Sequence, residues 1–180
     1  MWKLFAKKYS NRERILFRFL RKNNLMDKLT DKELEEFIPF LHIRTYQHNE
    51  AIFFRKDPSQ ALYIILAGRI KISIDVETQF EDLLELSAGE SFGDNAILDT
   101  SIRSYNAICS SDTCELYVIP QVNIMEIFAH NIEIKAKMMQ GLARYYDKYL
   151  VNLAKSYRDT FGLFNLSNVY DITQREILGE

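Results

Sequence analysis

Between His42 and Pro120 the chain alternates short runs rich in β-branched and aromatic residues with turn-forming breaks, and this texture restricts the fold more than any other feature. The runs are Ile43–Gln47, Ala51–Phe54, Ala61–Leu66, Arg69–Asp75, Phe80–Leu86, Ser104–Cys109 and Cys114–Ile119. The breaks are Asp57-Pro58-Ser59, Ala67-Gly68, Ala88-Gly89, Asp99-Thr100-Ser101 and Ser110-Ser111-Asp112. Branched and aromatic side chains suit a pleated, half-buried surface, whereas Gly, Pro, Asp and Ser favour turns. Many short strands at this spacing predict a β-sandwich, jelly roll or small barrel rather than a parallel α/β sheet.

Helical patterns flank this region. A helix over Asn11 to about Asn23 puts Arg14, Arg18 and Arg21 on one stripe, with Ile15, Leu16, Phe17, Phe19 and Leu20 on the other side. Thr30 and Glu33 have the spacing of a capping box, and Leu34, Phe37 and Ile38 supply an apolar face behind it. Beyond Pro120 the spacing predicts a short helix at Asn123–His130 and a long one over Ile132–Tyr157. On the long helix Met138, Leu142, Tyr145, Tyr149 and Leu153 form a stripe widened by Met139, Tyr146 and Leu150. A helix of ~25 residues extends ~38 Å, longer than a small barrel covers. A homodimer through Ile132–Tyr157 is therefore expected, with folding back over the chain's own barrel as the alternative. The fold class is mainly β with flanking helices (α+β), a jelly-roll-like β-barrel. Its parts are an N-terminal helical segment (1–40), the barrel (41–120), C-terminal helices acting as hinge and dimer helix (121–160), and a tail (161–180).

Charge and composition exclude several functions. Residues 1–24 carry eight Lys or Arg against the single acid Glu13, a net of +7, while the remainder is net −9. An acidic body makes a poor nucleic-acid surface, so no specific DNA binding is expected. The stripe of Arg14, Arg18 and Arg21 is read as solvated above a packed apolar face, and a weak contact with a membrane or an acidic partner is the alternative. No run approaches the ~20 apolar residues of a membrane span, and lysines interrupt the apolar start, so no signal peptide is expected. Two cysteines, Cys109 and Cys114, are too few for a disulfide framework, which points to the cytoplasm. His42, His48 and His130 lack metal-ligand spacing, so neither a metal nor a required cofactor is expected.

The stretch Gly89-Glu90-Ser91-Phe92-Gly93-Asp94-Asn95-Ala96-Ile97-Leu98-Asp99-Thr100-Ser101-Ile102-Arg103-Ser104 carries the functional argument. Two glycines bracket a short turn, a helix-forming run follows, and an arginine opens the next strand. Gly93 permits close backbone approach, and amides near Ala96 can point at an oxyanion. Arg103 offers a planar fork to a phosphate, and Ser104 adds a hydroxyl. The alternative for Arg103 is an internal ion pair with Asp94 or Asp99, and for Asp94 a cap on the turn that follows it.

This stretch resembles the phosphate-binding cassette of the cyclic nucleotide-binding domain family, which reads Gly-Glu-x-Phe-Gly-Glu-Leu-Ala and then, after a short interval, an arginine followed by a small residue. Here the match is Gly89-Glu90-Ser91-Phe92-Gly93, Ala96, Arg103 and Ser104. Upstream, Leu62-Tyr63-Ile64-Ile65-Leu66-Ala67-Gly68-Arg69-Ile70-Lys71-Ile72 is similar to the family's strand-glycine-strand hairpin, and Tyr46, Asn49, Glu50, Ala51, Ile52 and Phe53 fit its early strands. The resemblance covers about residues 25–158. It implies a ligand, cAMP or cGMP, whose phosphate lies between Arg103, Ser104 and the amides near Ala96. It further implies that Asp94 accepts the ribose 2′-hydroxyl, and that the base lies on apolar strand residues such as Leu83 beside the long helix. Phe92, Gly93 and Asn95 complete the expected site. The chain departs from the pattern at Asp94, whose carboxylate reaches roughly 1.5 Å less far than glutamate. Asn95 stands in place of an apolar leucine, and Lys56 where a glycine commonly precedes Asp57.

The family's transcription factors add a helix-turn-helix. Here Asp171–Ile177 is similar to the first helix of such a motif, and no recognition helix is expected after Gly179. The sequence thus predicts a non-enzymatic sensor acting through a protein effector or dimer rearrangement. A scaffold of the same fold that binds no nucleotide and a truncated transcription regulator are the alternatives. A cupin-type enzyme is disfavoured by the missing metal ligands.

Overall fold

The described residues form eight strands: β1 (His42–Gln47), β2 (Ala51–Phe53), β3 (Ala61–Ala67), β4 (Ile70–Val76), β5 (Gln79–Leu86), β6 (Ser91–Phe92), β7 (Asn106–Cys109) and β8 (Thr113–Pro120). They build two four-stranded antiparallel sheets with orders β1-β8-β3-β6 and β2-β7-β4-β5. This is the double-sheet jelly roll. Among the described residues the sheets do not close into the expected barrel. Nearly every connection between the described strands instead crosses from one sheet to the other, and among them only β4 and β5 are consecutive neighbours within one sheet. The computed structural model describes residues 7–76, 79–98 and 102–161. The turn expected at Asp99-Thr100-Ser101, and the tail from residue 162, lie outside the described residues.

Strand β3 reads as an unbroken apolar run because both of its faces are covered. Leu62 and Ile64 join a core shared with the helices, whereas Ile65 joins the core between the two sheets, with Tyr63 packed against it. Strand β8 divides likewise. Ile119 and Tyr117 meet the helical core, and Cys114, Leu116 and Val118 meet the inter-sheet core. Each fully buried Leu or Ile contributes roughly 1.5–3 kcal/mol.

The helical layer follows its capping signals. Helix α1 (Asn11–Leu20) opens with a capping box between Ser10 and Glu13, and α2 (Asp31–Glu35) with the expected one between Thr30 and Glu33. Helix α1 stops at Leu20 rather than Asn23. Lys22 and Asn23 bond back to Phe19 and Leu20, and the Asn23 side chain accepts from Leu25 N–H at 3.0 Å, offering the backbone a turn instead. Phe17 and Leu20 are buried, while Arg14 and Arg18 are exposed. Arg21 pairs with Asp31 and donates through Nε to Leu29 O at 2.9 Å.

Helices α3 (Gln121–His130) and α4 (Ile132–Phe161) are separated at Asn131, whose side-chain oxygen accepts from Glu133 and Ile134 N–H and so caps α4. The chain divides into two compact units at Leu142. In the first, Ile134, Met138 and Leu142 are buried at four-residue spacing. Gly141 lets α4 approach the backbone, since a Cβ there would meet Asn24 O at 2.5 Å. In the second unit Tyr145 lies against Tyr146 and Tyr149, with ring centroids 5.7 and 6.5 Å apart. Tyr146, Tyr149, Leu150, Leu153 and Tyr157 are exposed there. The stripe expected along one dimer helix is therefore two surfaces, with Met138 and Leu142 in the core. Among the described residues no helix is long and apolar enough to cross a membrane.

Candidate functional site

The described residues between Phe92 and Arg103 fold around one guanidinium. Strand β6 ends at Phe92, Gly93 takes φ +69° in the left-handed region, and Asp94–Ile97 form a 3-10 turn. Glycine is required at 93, because a Cβ would lie 2.6 Å from Arg103 Nη1 and 3.1 Å from Ala61 O. The Ala96 amide is used inside this turn, donating to Gly93 O at 3.0 Å.

Arg103 is only 2% exposed. Its Nη1 donates to Gly93 O at 3.1 Å and to Asn95 Oδ1 at 3.0 Å, and its Nη2 donates to Ala61 O at 2.7 Å. Strand β6 pairs only with Tyr63 and Ile64, so the arginine takes up the β3 carbonyl beyond its end. The guanidinium carbon lies 4.1 Å from the Phe53 ring centroid and 5.6 Å from that of Tyr63. Burial pulls the guanidinium below its ordinary pKa, while Tyr63, Tyr105 and Asp94 act in the opposite direction. Arginine nonetheless stays charged. Among the described residues its Nε is buried without a hydrogen-bond partner.

The backbone of Arg103 is clamped as well. Lys56 N–H donates to Arg103 O, and Arg103 N–H donates to Asp57 O, both at 2.8 Å. Lys56 sits at φ +73°, so the position where a glycine is common is a left-handed one, occupied here at a cost of roughly 1–2 kcal/mol. The Asp57 carboxylate closes this turn by accepting from Phe54 N–H at 2.8 Å.

Asn95 and Asp94 have distinct partners. The Asn95 oxygen accepts from Arg103 and from the buried Ser59 hydroxyl at 2.9 Å, and its amide donates to Ile102 O at 2.6 Å. A leucine could make none of these bonds, so the polar residue belongs to the arginine network. Asp94 is half-buried, and its carboxylate accepts from the Tyr105 hydroxyl at 3.4 Å. That hydroxyl also accepts from Gly93 N–H at 2.7 Å.

Of the residues singled out in the sequence, Phe92, Gly93, Asp94, Asn95, Ala96 and Arg103 converge in this cluster. Phe92 is buried and stacks on Tyr63 at 5.0 Å between centroids. Ser104 is exposed at a bend. Leu83 is also exposed, at the irregularity where the pairing of β4 shifts from Leu84 to Asp82. Leu84, not Leu83, packs toward the inter-sheet core. The sequence reading passed over Tyr105 and the aromatic cluster that it forms with Phe53, Tyr63 and Phe92. Its signal was available, as a large ring two positions after the arginine. Cys109 and Cys114 are buried free thiols, and burial beside Cys109 pushes Cys114 up to about 12. Among the described residues no group of three or more His, Cys, Asp or Glu could hold a metal ion.

Residues 43–131 match the family model described as the cyclic nucleotide-binding domain. The chain is 27% identical over 114 residues to the cyclic AMP receptor protein of Thermus thermophilus, covering 60% of this chain and 53% of that protein. It is 24% identical over 152 residues to human cGMP-dependent protein kinase 2, covering 83% of this chain and 19% of the kinase. The chain thus spans about half of the first relative and a fifth of the second. Among solved structures, the Thermus thermophilus catabolite activator protein superposes with a TM-score of 0.61 at 25% identity, covering 72% of this chain and 61% of that one. The regulatory domain of Toxoplasma gondii PKA with cAMP gives 0.60 at 21% identity, covering 67% of this chain and 46% of that one.

Proposed function

We propose that this chain, which carries a cyclic nucleotide-binding domain over residues 43–131, is a regulatory module that takes up cAMP or cGMP at the Arg103 cluster. The observation that carries this reading is the Nε of Arg103, an orphaned donor on a buried cation at the end of the Gly93 turn. A phosphate oxygen is a strong acceptor for such a donor. Asp94 is then the acceptor for a sugar hydroxyl, and Ser104, exposed beside the arginine, is a further donor to the phosphate. The exposed Tyr146, Tyr149, Leu150 and Leu153 on α4 support an output through a second copy or a protein effector. The buried free thiols suit a reducing, cytoplasmic setting.

A scaffold that binds no nucleotide is favoured by one specific observation. Both terminal nitrogens of Arg103 already donate within the chain, and aromatic rings crowd the guanidinium. Titration calorimetry with cAMP and cGMP separates the two readings. Saturable binding by the wild type supports the sensor. No heat with either nucleotide up to about 1 mM, from the wild type or from the Asp94→Glu, Asn95→Leu double variant, establishes the scaffold.

A further inference from the structure

We infer that Tyr105 is a built-in competitor for the sugar-hydroxyl corner of this site, and so determines how the site discriminates between ribose and 2′-deoxyribose ligands. This rests on reading the cluster as a nucleotide site. A phenol has the same inventory as a sugar hydroxyl, with one O–H to give and lone pairs to accept. The Tyr105 hydroxyl uses both. It accepts from Gly93 N–H at 2.7 Å and donates to Asp94 Oδ1 at 3.4 Å. A ligand hydroxyl seeking the Asp94 carboxylate meets an acceptor, and an amide beside it, that already have a partner.

The ring behind this hydroxyl is held by packing. Tyr105 is half-buried, and its ring centroid lies 5.7 Å from that of Phe53, the ring on which the Arg103 guanidinium sits. Tyr105 lies between Arg103 and the first residue of β7, Asn106, and Asn106 is itself fixed by bonds to Arg55 N–H and the Asp75 carboxylate. Those anchors fix the chain on which the phenol is carried. The two hydroxyl bonds are unequal. The short bond to Gly93 N–H is the firm one, and the long bond to Asp94 is weak. Asp94 stands where a longer carboxylate is usual, and the phenol bridges toward it. The shortened acid and the added hydroxyl are thus two halves of one arrangement that satisfies the corner from within.

The consequence is specific. A 2′-hydroxyl that takes Asp94 Oδ1 and the Gly93 amide displaces the phenol, whereas a 2′-deoxy sugar leaves it in place. Wild type should therefore bind cAMP and 2′-deoxy-cAMP with nearly equal affinity. Tyr105→Phe removes the competitor and keeps the ring, so its preference for cAMP over the deoxy analogue should rise to roughly tenfold, the worth of one good hydrogen bond. Tyr105→Ala frees the ring's volume and should tighten both ligands. A second readout uses the wild type alone: beyond the shift that phosphate binding at Arg103 gives with both ligands, cAMP should move the Gly93 amide resonance further in NMR spectra than 2′-deoxy-cAMP does. The same ratio of affinities in wild type and Tyr105→Phe, or a Gly93 amide that responds equally to both nucleotides, overturns the competitor while leaving the nucleotide site standing. No binding of either nucleotide by wild type, Tyr105→Phe or Tyr105→Ala overturns both.

Discussion

Replacing Arg103 by alanine should unfold the domain more readily whether or not a ligand is present. The three acceptors of the guanidinium differ in what they lose. Gly93 O keeps Ala96 N–H, and Asn95 Oδ1 keeps the Ser59 hydroxyl. Ala61 O, at the strand edge, loses its 2.7 Å donor. An acceptor left buried and unmet costs about 1–3 kcal/mol. Loss of the cation over Phe53 adds about 2 kcal/mol for a desolvated pair. Removing the burial cost of the charge gives part of this back, while the space left among Phe53, Tyr63 and Phe92 takes some away. The net is a loss of about 3–5 kcal/mol. For a chain of this size each kcal/mol lowers the melting temperature by roughly 2–4 °C, so a drop of roughly 6–20 °C is expected by scanning calorimetry. Arg103→Lys keeps the charge but not the fork, and should fall between wild type and alanine. A melting temperature for Arg103→Ala within about 2 °C of wild type would show that the arginine does not hold the Gly93 turn against β3.

Glu33 accepts from Lys137 and from the backbone and hydroxyl of Thr30, joining α2 to α4. Burial raises its pKa, but these bonds outweigh it and hold the carboxyl below its ordinary value of 4.5. A depressed folded pKa stabilises fully above the unfolded value, and that stability is lost as pH falls through the folded value. Glu33→Gln should thus cost about 1–2 kcal/mol at neutral pH and flatten the acid limb of the stability curve; an unchanged limb in pH-dependent melting would contradict this. Leu150→Glu, at a position 60% exposed, should convert a homodimer to monomer in sedimentation at micromolar concentration. A wild type that stays monomeric at every concentration, with and without nucleotide, removes the dimer. Leu142, on the same expected stripe, lies in the core, so its substitution would report on folding rather than on the dimer.

Much of the fold was legible because two periodicities reported it directly. The turn residues punctuated seven strands, and the Thr30–Glu33 spacing located a helix start. What escaped was what local pattern cannot carry. Strand β6 has two residues, too few for any alternation to show, and its pairing with Tyr63 and Ile64 comes from contacts remote in sequence. The long helix read as one apolar stripe because periodicity marks which residues share a face but not what lies opposite. Met138 meets a core, and Leu150 does not. Leu83, expected beneath a base, is instead exposed at the irregularity in β5, whereas Leu84, two residues from the buried Leu86 and so on the same face, packs toward the core between the sheets.

The site was legible in its parts and not in its connections. Gly93, Arg103 and Asp94 stand out by their spacing, but Asn95 and Lys56 look like unrelated departures from a pattern, and nothing in that pattern marks Tyr105. The structure makes them neighbours in one network. Lys56 bonds the backbone of Arg103, Asn95 bonds its side chain, and Tyr105 bonds the glycine and the acid beside it. Asn95 and Tyr105 supply from inside the chain partners for Arg103, Gly93 and Asp94, whereas the Lys56 bond is a backbone one that a glycine would also make. Apart from the Arg103 Nε, such a site has its polar groups met in the absence of ligand, so on the proposed reading affinity for a nucleotide is the difference between two largely satisfied states. That difference is smaller than the bonds of either state taken alone. It also places the control of affinity in residues that need not touch the nucleotide. Substitutions at Asn95 and Tyr105 should therefore move binding more than stability, whereas those at Arg103 and Gly93 should move both.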